Sequence, residues 1–198
     1  MPHVHSIVIK PAWYPIIPSS SIIPVMSKKN VKFTGLVNRI KGALSEPLFT
    51  KGHVMMDISK ITDQIYVGTN ACCLSHYSKL LVQKGVTNDL SLEGEHVDHP
   101  YGVDSYLWLP TPDHAAPSRM NIHLGLSYMD AVLGNGGKIF IHCTNGHGRA
   151  PTLAAAWFIK EGMSVDAAIA ELKKKRPEVH IEPVQKKMLQ WVKEAFAI

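Results

Sequence analysis

A cysteine and an arginine stand six positions apart in the most informative stretch of the sequence. Cys143 follows an apolar run, Lys138 to His142, that is typical of a buried strand, and Arg149 opens a run typical of a helix. Gly146 and Gly148 lie between them, and glycine lets a loop curl until its backbone N–H groups point inward. The N-terminus of the following helix adds partial positive charge to the same place. The stretch therefore predicts a cradle for an anion about the size of phosphate.

The residue types around this cradle indicate nucleophilic chemistry at phosphorus. Cys143 would lie at the base, where inward N–H groups and Arg149 favour the reactive thiolate. Arg149 can hold two phosphate oxygens at once and stays charged. Asp113 follows a predicted strand, and α/β sheets bind their ligands in such loops. We predict that Asp113 donates a proton to the leaving group and later activates water.

Other polar residues near these positions have simpler interpretations. Asp98 and Asp104 compete for the role of proton donor, but Asp104 precedes its strand and so belongs at the opposite end of the sheet. His114 is interpreted as a surface residue. His147 is expected to face the phosphate entrance, where it could contribute to substrate selection. The basic run 173–176 is interpreted as the solvated end of a helix, with a patch for anionic substrates as the alternative.

Strands and helices alternate from Ile61 onward. This alternation predicts an α/β fold with a central, mostly parallel sheet and helices on both faces. The predicted strands cover residues 65–68, 86–92, 105–109 and 138–142, and the predicted helices cover residues 74–84, 118–133, 149–161, 164–175 and 183–196.

The order His-Cys, five residues, then Arg, with glycine third after the cysteine, resembles the signature of cysteine-dependent protein tyrosine phosphatases. Asp113, roughly thirty residues upstream, and the opening Ile65–Gly68 are similar to the compact dual-specificity branch. The resemblance covers roughly residues 59–197.

The resemblance implies a two-step mechanism without metal or other cofactor. Cys143 forms a phosphocysteine, Asp113 protonates the leaving oxygen, and water activated by Asp113 hydrolyses the intermediate. Loop amides and Arg149 stabilise the charge on phosphate, and His142 tunes the thiolate from behind. The substrate would be a phosphorylated protein. The phosphate-binding loop would consist of Thr144, Asn145, Gly146, His147, Gly148 and Arg149.

Ala150 departs from the family pattern, which usually has Ser or Thr after the arginine. That hydroxyl helps the thiolate leave, so its loss predicts slower breakdown of the phosphoenzyme; Thr152 stands two residues further on. The Arg-Ala-Pro order also resembles the loop of some plant glucan phosphatases. Two alternatives stay open: a phosphatase for a glucan or lipid phosphate, and a catalytically weak phosphate-binding module. The absence of lysine between Cys143 and Arg149 disfavours polyphosphorylated inositol lipids.

The positive charge is unevenly distributed along the 198 residues. The net charge is +5, but residues 1–60 carry eight basic and two acidic side chains while the remainder is close to neutral. We divide the chain into a basic extension over 1–57, with an irregular arm at 1–25, and a phosphatase domain over 58–198. An amphipathic pattern at 31–44 predicts a helix that packs on the domain or contacts a membrane surface or partner. A nucleic-acid-binding domain is not indicated.

The three cysteines argue against a disulfide-stapled secreted fold. We therefore expect a cytoplasmic protein. The basic extension suggests that it could also lie at a membrane surface. Cys72 and Cys73 are interpreted as small apolar residues, with protection of an oxidised Cys143 as the alternative. The sequence gives no indication of oligomeric state.

Overall fold

The computed structural model describes residues 56–70 and 74–196, which contain one five-stranded sheet. The strand order is β1-β2-β5-β3-β4; β1 pairs antiparallel with β2, and every other pairing is parallel. The sheet is thus mostly parallel, as predicted. The strands are β1 Ile58–Lys60, β2 Ile65–Thr69, β3 Asn88–Glu93, β4 Ser105–Thr111 and β5 Ile139–Cys143.

Helices connect the strands and complete the C-terminal part of the chain. Ser118 and Ser164 cap the second and fourth helices by accepting hydrogen bonds from backbone N–H groups, and Pro183 opens the fifth. The helices are α1 Leu74–Leu80, a short 3-10 helix Val82–Lys84, α2 Arg119–Gly134, α3 Arg149–Lys160, α4 Val165–Lys175 and α5 Pro183–Ala195.

The two faces of the sheet pack against different helices. Strand alternation sends Ile139, Ile141 and Cys143 into the main hydrophobic core with α2 to α5, and Phe140 into a smaller core with α1. Helices therefore cover both faces, and the predicted fold class is confirmed. Because α3 starts directly after the loop that leaves β5, the loop is held between a buried strand and a buried helix.

Two local differences separate the sequence prediction from the structure. The helix predicted over 74–84 ends at Leu80 and continues as the 3-10 helix, which Gly85 terminates with a left-handed φ of 76°. Strand β1 was not predicted, because three residues are too few to show a period.

The arm at 1–25, the helix predicted over 31–44, and Cys72 and Cys73 lie outside the described residues. No helix in the described ranges combines the length and apolar character needed to cross a membrane.

Candidate active site

Cys143 ends β5 and opens into a pocket of about 330 Å³. Cys143 pairs with Thr69 of β2. His142, one residue earlier on β5, pairs with Ser91 of β3. The cysteine is 2% exposed, so the pocket is its route to a substrate. The residues lining the pocket are Asp113, His114, Cys143, Asn145, His147, Gly148, Arg149, His180, Glu182 and Gln185.

The carbonyl groups of the loop after Cys143 are all engaged by surrounding groups. In a trans peptide the N–H group points opposite to the carbonyl, so binding the carbonyls from outside turns the N–H groups of 145–149 toward the pocket. This arrangement is compatible with the anion cradle predicted from the glycines, and the binding of phosphate there stays a prediction. The Thr144 carbonyl accepts from Asn70 N at 3.3 Å, and the His147 carbonyl accepts from His180 N at 2.8 Å. The Asn145 and Gly146 carbonyls accept from Arg176 Nη2 at 3.3 Å and Nε at 2.9 Å. The Gly148 carbonyl accepts from Thr152 N at 2.9 Å and Oγ1 at 2.8 Å.

Arg176 holds the loop from behind. Its side chain is fully buried and donates to the carbonyls of Asn145 and Gly146. The same guanidinium donates to Ser59 Oγ at 3.1 Å and pairs with Asp57 at 2.9 Å. The interpretation of the basic run as a solvated helix end is therefore wrong for Arg176, although Lys173 to Lys175 are exposed. Its inward turn depends on packing that local sequence does not reveal.

Gly146 lets the loop lie directly on β2. Its φ is 66°, and a side chain there would collide with the carbonyl of Gly68. Gly148 is also closely packed, since an added Cβ would lie 3.0 Å from the amide nitrogen of Gln185. Gly146 is thus required by close approach as well as by backbone shape, whereas the neighbour of Gly148 is the end of a flexible side chain.

Arg149 is 2% exposed and its guanidinium is fixed on two sides. Nη1 contacts both carboxylate oxygens of Glu95 at 3.0 and 2.8 Å and donates to the Thr111 carbonyl at 2.9 Å. Nη2 donates to Thr144 Oγ1 at 3.0 Å. Burial opposes the charge, but Glu95, Cys143 and Asp113 outweigh it and raise the pKa of Arg149. Hydrogen bonding from Arg149 in turn lowers the pKa of Glu95. Glu95 was not predicted from the sequence, because no local pattern connects it to an arginine 54 positions away.

Asp113 lines the same pocket as Cys143, as its position after β4 predicted. Its Oδ1 lies 3.2 Å from Arg149 Nη2, and its side chain is 52% exposed. A phosphate held by Arg149 would therefore lie beside the Asp113 carboxyl. Asp104 lies at the other end of the sheet, where its carboxylate accepts a hydrogen bond from Thr87 at 2.6 Å. The geometry is compatible with Asp113 as the proton donor, and that role stays a prediction.

His142 lies behind the cysteine, on the opposite face of the sheet. Its ring stacks on Phe140 with centroids 5.0 Å apart. Its Nε2 lies 3.1 Å from Asp89 and 3.6 Å from Asp98, and the imidazole is fully buried. Burial opposes protonation, but the carboxylates outweigh it and raise the pKa of His142.

Three histidines form the rim of the pocket: His114, His147 and His180. Nδ1 of His114 lies 3.3 Å from Glu182, and Nε2 of His180 lies 3.7 Å from the same carboxylate. The prediction that His147 faces the entrance agrees with its position in the pocket lining. The interpretation of His114 as an ordinary surface residue was incomplete, since it is exposed but also lines the pocket.

Ala150 and Thr152 are both fully buried in the first turn of α3. The Thr152 hydroxyl donates to the Gly148 carbonyl at 2.8 Å. Because its proton is committed there, Thr152 does not replace the hydroxyl that is missing at Ala150.

A family model described as "Polymorphic toxin system, DSP-PTPase phosphatase" matches residues 65–163, half of the chain. The chain belongs to this family. It is 25% identical over 177 residues to laforin from Mus musculus, a match spanning 77% of this chain and 54% of laforin. It is 33% identical over 89 residues to phosphatidylglycerophosphate phosphatase PTPMT2 from Arabidopsis thaliana, spanning 43% of this chain and 38% of the relative. The chain thus spans about half or less of these two relatives.

Solved structures share the fold of this DSP-PTPase member. The crystal structure of PTPMT1 in complex with PI(5)P superimposes with a TM-score of 0.64 at 21% identity, covering 70% of this chain and 96% of PTPMT1. Identity at this level shows a common fold. The predicted resemblance to dual-specificity phosphatases is confirmed.

Proposed function

We propose that this chain is a cysteine-dependent phosphatase that hydrolyses phosphomonoesters through a phosphocysteine at Cys143. The observation that carries the proposal is the loop in which five successive carbonyls accept hydrogen bonds, four from other parts of the chain and one from α3. Because the N–H group of a trans peptide points opposite to its carbonyl, we infer that the loop amides face the pocket. Family membership supports the same reaction class. Converging amides and a buried arginine match the charge of a transferring phosphoryl group.

The reaction needs two displacements at phosphorus. The Cys143 sulfur attacks in line, an S–P bond forms, the P–O bond to the leaving group breaks, and Asp113 gives the leaving oxygen its proton. Asp113 then takes a proton from water, whose oxygen attacks phosphorus and breaks the S–P bond. Arg149 and the amides of 145–149 hold the equatorial oxygens throughout. The Asp113 contact with Arg149 Nη2 would be replaced by phosphate when a substrate binds.

The proposed substrate is a phosphoprotein, with tyrosine and serine/threonine esters both included. The names of relatives support two substrate classes, since one is a protein-tyrosine-phosphatase and another a phosphatidylglycerophosphate phosphatase. A lipid phosphomonoester is therefore the second candidate. Turnover of phosphopeptides, phosphatidylglycerophosphate and a phosphorylated glucan, each compared by kcat/KM, would rank these classes.

Hydrolysis of a small aryl phosphate in the presence of EDTA tests the reaction itself. We expect turnover by the wild type, none by Cys143→Ser, and a loss of about 10²- to 10⁴-fold in kcat for Asp113→Ala. Asp104→Asn is the matched control, because Asp104 lies at the other end of the sheet, and it should keep wild-type activity. Binding of vanadate without any turnover would instead support the phosphate-binding module.

A further inference from the structure

One face of β3 carries polar side chains into the interior. Its sequence alternates, so that Leu90 and Leu92 enter the main core while Asp89, Ser91 and Glu93 point to the other face. All five residues are fully buried. Buried acids are rare unless they are paired or hold a cation, so this face requires a physical explanation.

Three side chains from different elements meet on this face. Glu93 comes from β3, Asp98 from the loop before β4, and His142 from β5, and each places a donor atom within 4.8 Å of the other two. Ser91 Oγ donates to Asp98 Oδ2 at 3.2 Å. His142 Nε2 lies 3.1 Å from Asp89 Oδ1, which places Asp89 at the edge of the same cluster.

Several of these atoms lack a hydrogen bond within the described part of the chain. They are Glu93 Oε2, both carboxylate oxygens of Asp89 and both ring nitrogens of His142. The His142–Asp89 pair is close, but its alignment does not satisfy the angle that a hydrogen bond requires. Leaving such groups unpaired in the interior is destabilising. Glu93 and His142 belong to the donor cluster, where a cation would engage an unpaired carboxylate oxygen and an imidazole nitrogen.

The charges of the cluster also favour a cation. Three carboxylates face one buried imidazole and one exposed histidine, His96, whose Nδ1 lies 2.9 Å from Glu93 Oε1. A divalent cation would neutralise the excess negative charge and satisfy the unpaired oxygens together.

We propose that Glu93, Asp98 and His142 form a buried site for a divalent transition-metal ion such as Zn²⁺. Nitrogen and carboxylate ligands about 2.0–2.2 Å from a tetrahedral ion lie roughly 3.3–3.6 Å from each other, so the donor atoms, which lie within 4.8 Å of one another, must close to about that spacing when the ion binds. The Asp98 side chain is 10% exposed and marks the entry route.

Zinc binding to the full-length chain tests the site without using activity. Cys72, Cys73 and Cys143 are changed to Ser so that no thiolate takes the metal, and the protein is freed of metal by chelation. Calorimetry with ZnCl₂ and native mass spectrometry should show one bound ion, and Tm should rise with added zinc. Glu93→Gln and Asp98→Asn, each in this background, should weaken binding at least about 10-fold and remove the rise in Tm.

Glu182→Gln is the matched control, because Glu182 lies between two rim histidines that could hold zinc on the surface. It should bind zinc like the parent protein. Three results would overturn the proposal. They are the absence of one-to-one zinc binding, a zinc affinity that Glu93→Gln or Asp98→Asn does not change, and loss of zinc binding in Glu182→Gln alone. If Glu93→Gln does not fold, Asp98→Asn at the edge of the cluster decides the question alone.

Discussion

At the scale of single residues, the first turn of α3 determines how the phosphoenzyme would break down. Ala150 provides no hydroxyl, and the one at Thr152 is bonded to the Gly148 carbonyl. The departing thiolate therefore has no hydroxyl donor from either position. In the proposed mechanism, attack on substrate depends on Cys143, Arg149 and Asp113, so the two steps should respond differently to a change at Ala150.

We expect Ala150→Ser to raise kcat several-fold and leave kcat/KM close to the wild-type value, because only hydrolysis of the intermediate would be faster. Pre-steady-state measurements should show an initial burst of the phenol product in the wild type and a smaller one in the variant. Thr152→Val is the control and should not alter the rate of breakdown. A wild type without a burst, or equal kcat in Ala150→Ser, would mean that breakdown does not limit turnover.

At the scale of elements, the loop depends on contacts from both sides. Gly146 rests on β2, while Arg176 at the end of α4 holds the carbonyls from behind and pairs with Asp57 just before β1. The cradle is therefore determined by elements distant in sequence. Close packing on β2 and hydrogen bonding by Arg176 can be tested separately.

Gly146→Ala and Gly136→Ala form a matched pair. Both glycines have positive φ, 66° and 75°, but an added Cβ meets the Gly68 backbone at Gly146 and nothing within 4 Å at Gly136. We expect Gly136→Ala to lower the free energy of unfolding by about 1–2 kcal/mol, which is the cost of the backbone conformation alone. Gly146→Ala should lose about 1–3 kcal/mol more from the collision. Denaturant unfolding measures both, and equal losses would show that β2 does not constrain the loop.

Arg176→Lys keeps the positive charge but cannot donate to two carbonyls, Ser59 and Asp57 together. We expect a loss on the order of 3 kcal/mol in unfolding free energy, because buried acceptors lose their partner. Vanadate binding to the folded fraction should weaken as well, since the amides above Cys143 are no longer oriented. Lys175→Ala, at the exposed neighbouring position, controls for changes in the helix end. Unchanged vanadate affinity in folded Arg176→Lys would show that the arginine stabilises the domain without shaping the cradle.

The parts of the site that follow a local pattern were predictable from sequence, and the parts that depend on packing were not. The strand, glycines and helix around Cys143 each leave a signal within a few residues, and Asp113 follows a predicted strand. Glu95 and Arg176 reach the site from distant segments, and Arg176 stands in a basic run whose other members are exposed. β1 is three residues long, which is too short for its alternation to be recognised.

At the scale of the whole molecule, charge separates the two regions of the sequence. Residues 1–60 carry an excess of six positive charges, while the rest of the chain is nearly balanced. A basic segment of this kind is attracted to anionic surfaces, with about 1 kcal/mol per basic residue close to the membrane. The segment at 31–44, outside the described residues, combines this charge with an amphipathic pattern.

We expect the full-length chain to sediment with phosphatidylserine vesicles at low salt and not with phosphatidylcholine vesicles. Reversal of Lys32, Arg39 and Lys41 to Glu should abolish this binding. Reversal of the exposed Lys173, Lys174 and Lys175 changes net charge equally and should have a smaller effect. Equal losses from the two triple variants would indicate attraction by net charge alone, and no vesicle binding at low salt would contradict the expectation.

The described sheet has two edges, and both resist further strand addition. β1 offers only three residues, and β4 contains the exposed Pro110, which has no N–H group to donate to a neighbouring strand. An incoming strand from another molecule would therefore find a short template at one edge and an interrupted one at the other. These edges should protect the domain against sheet-mediated aggregation when the protein is concentrated.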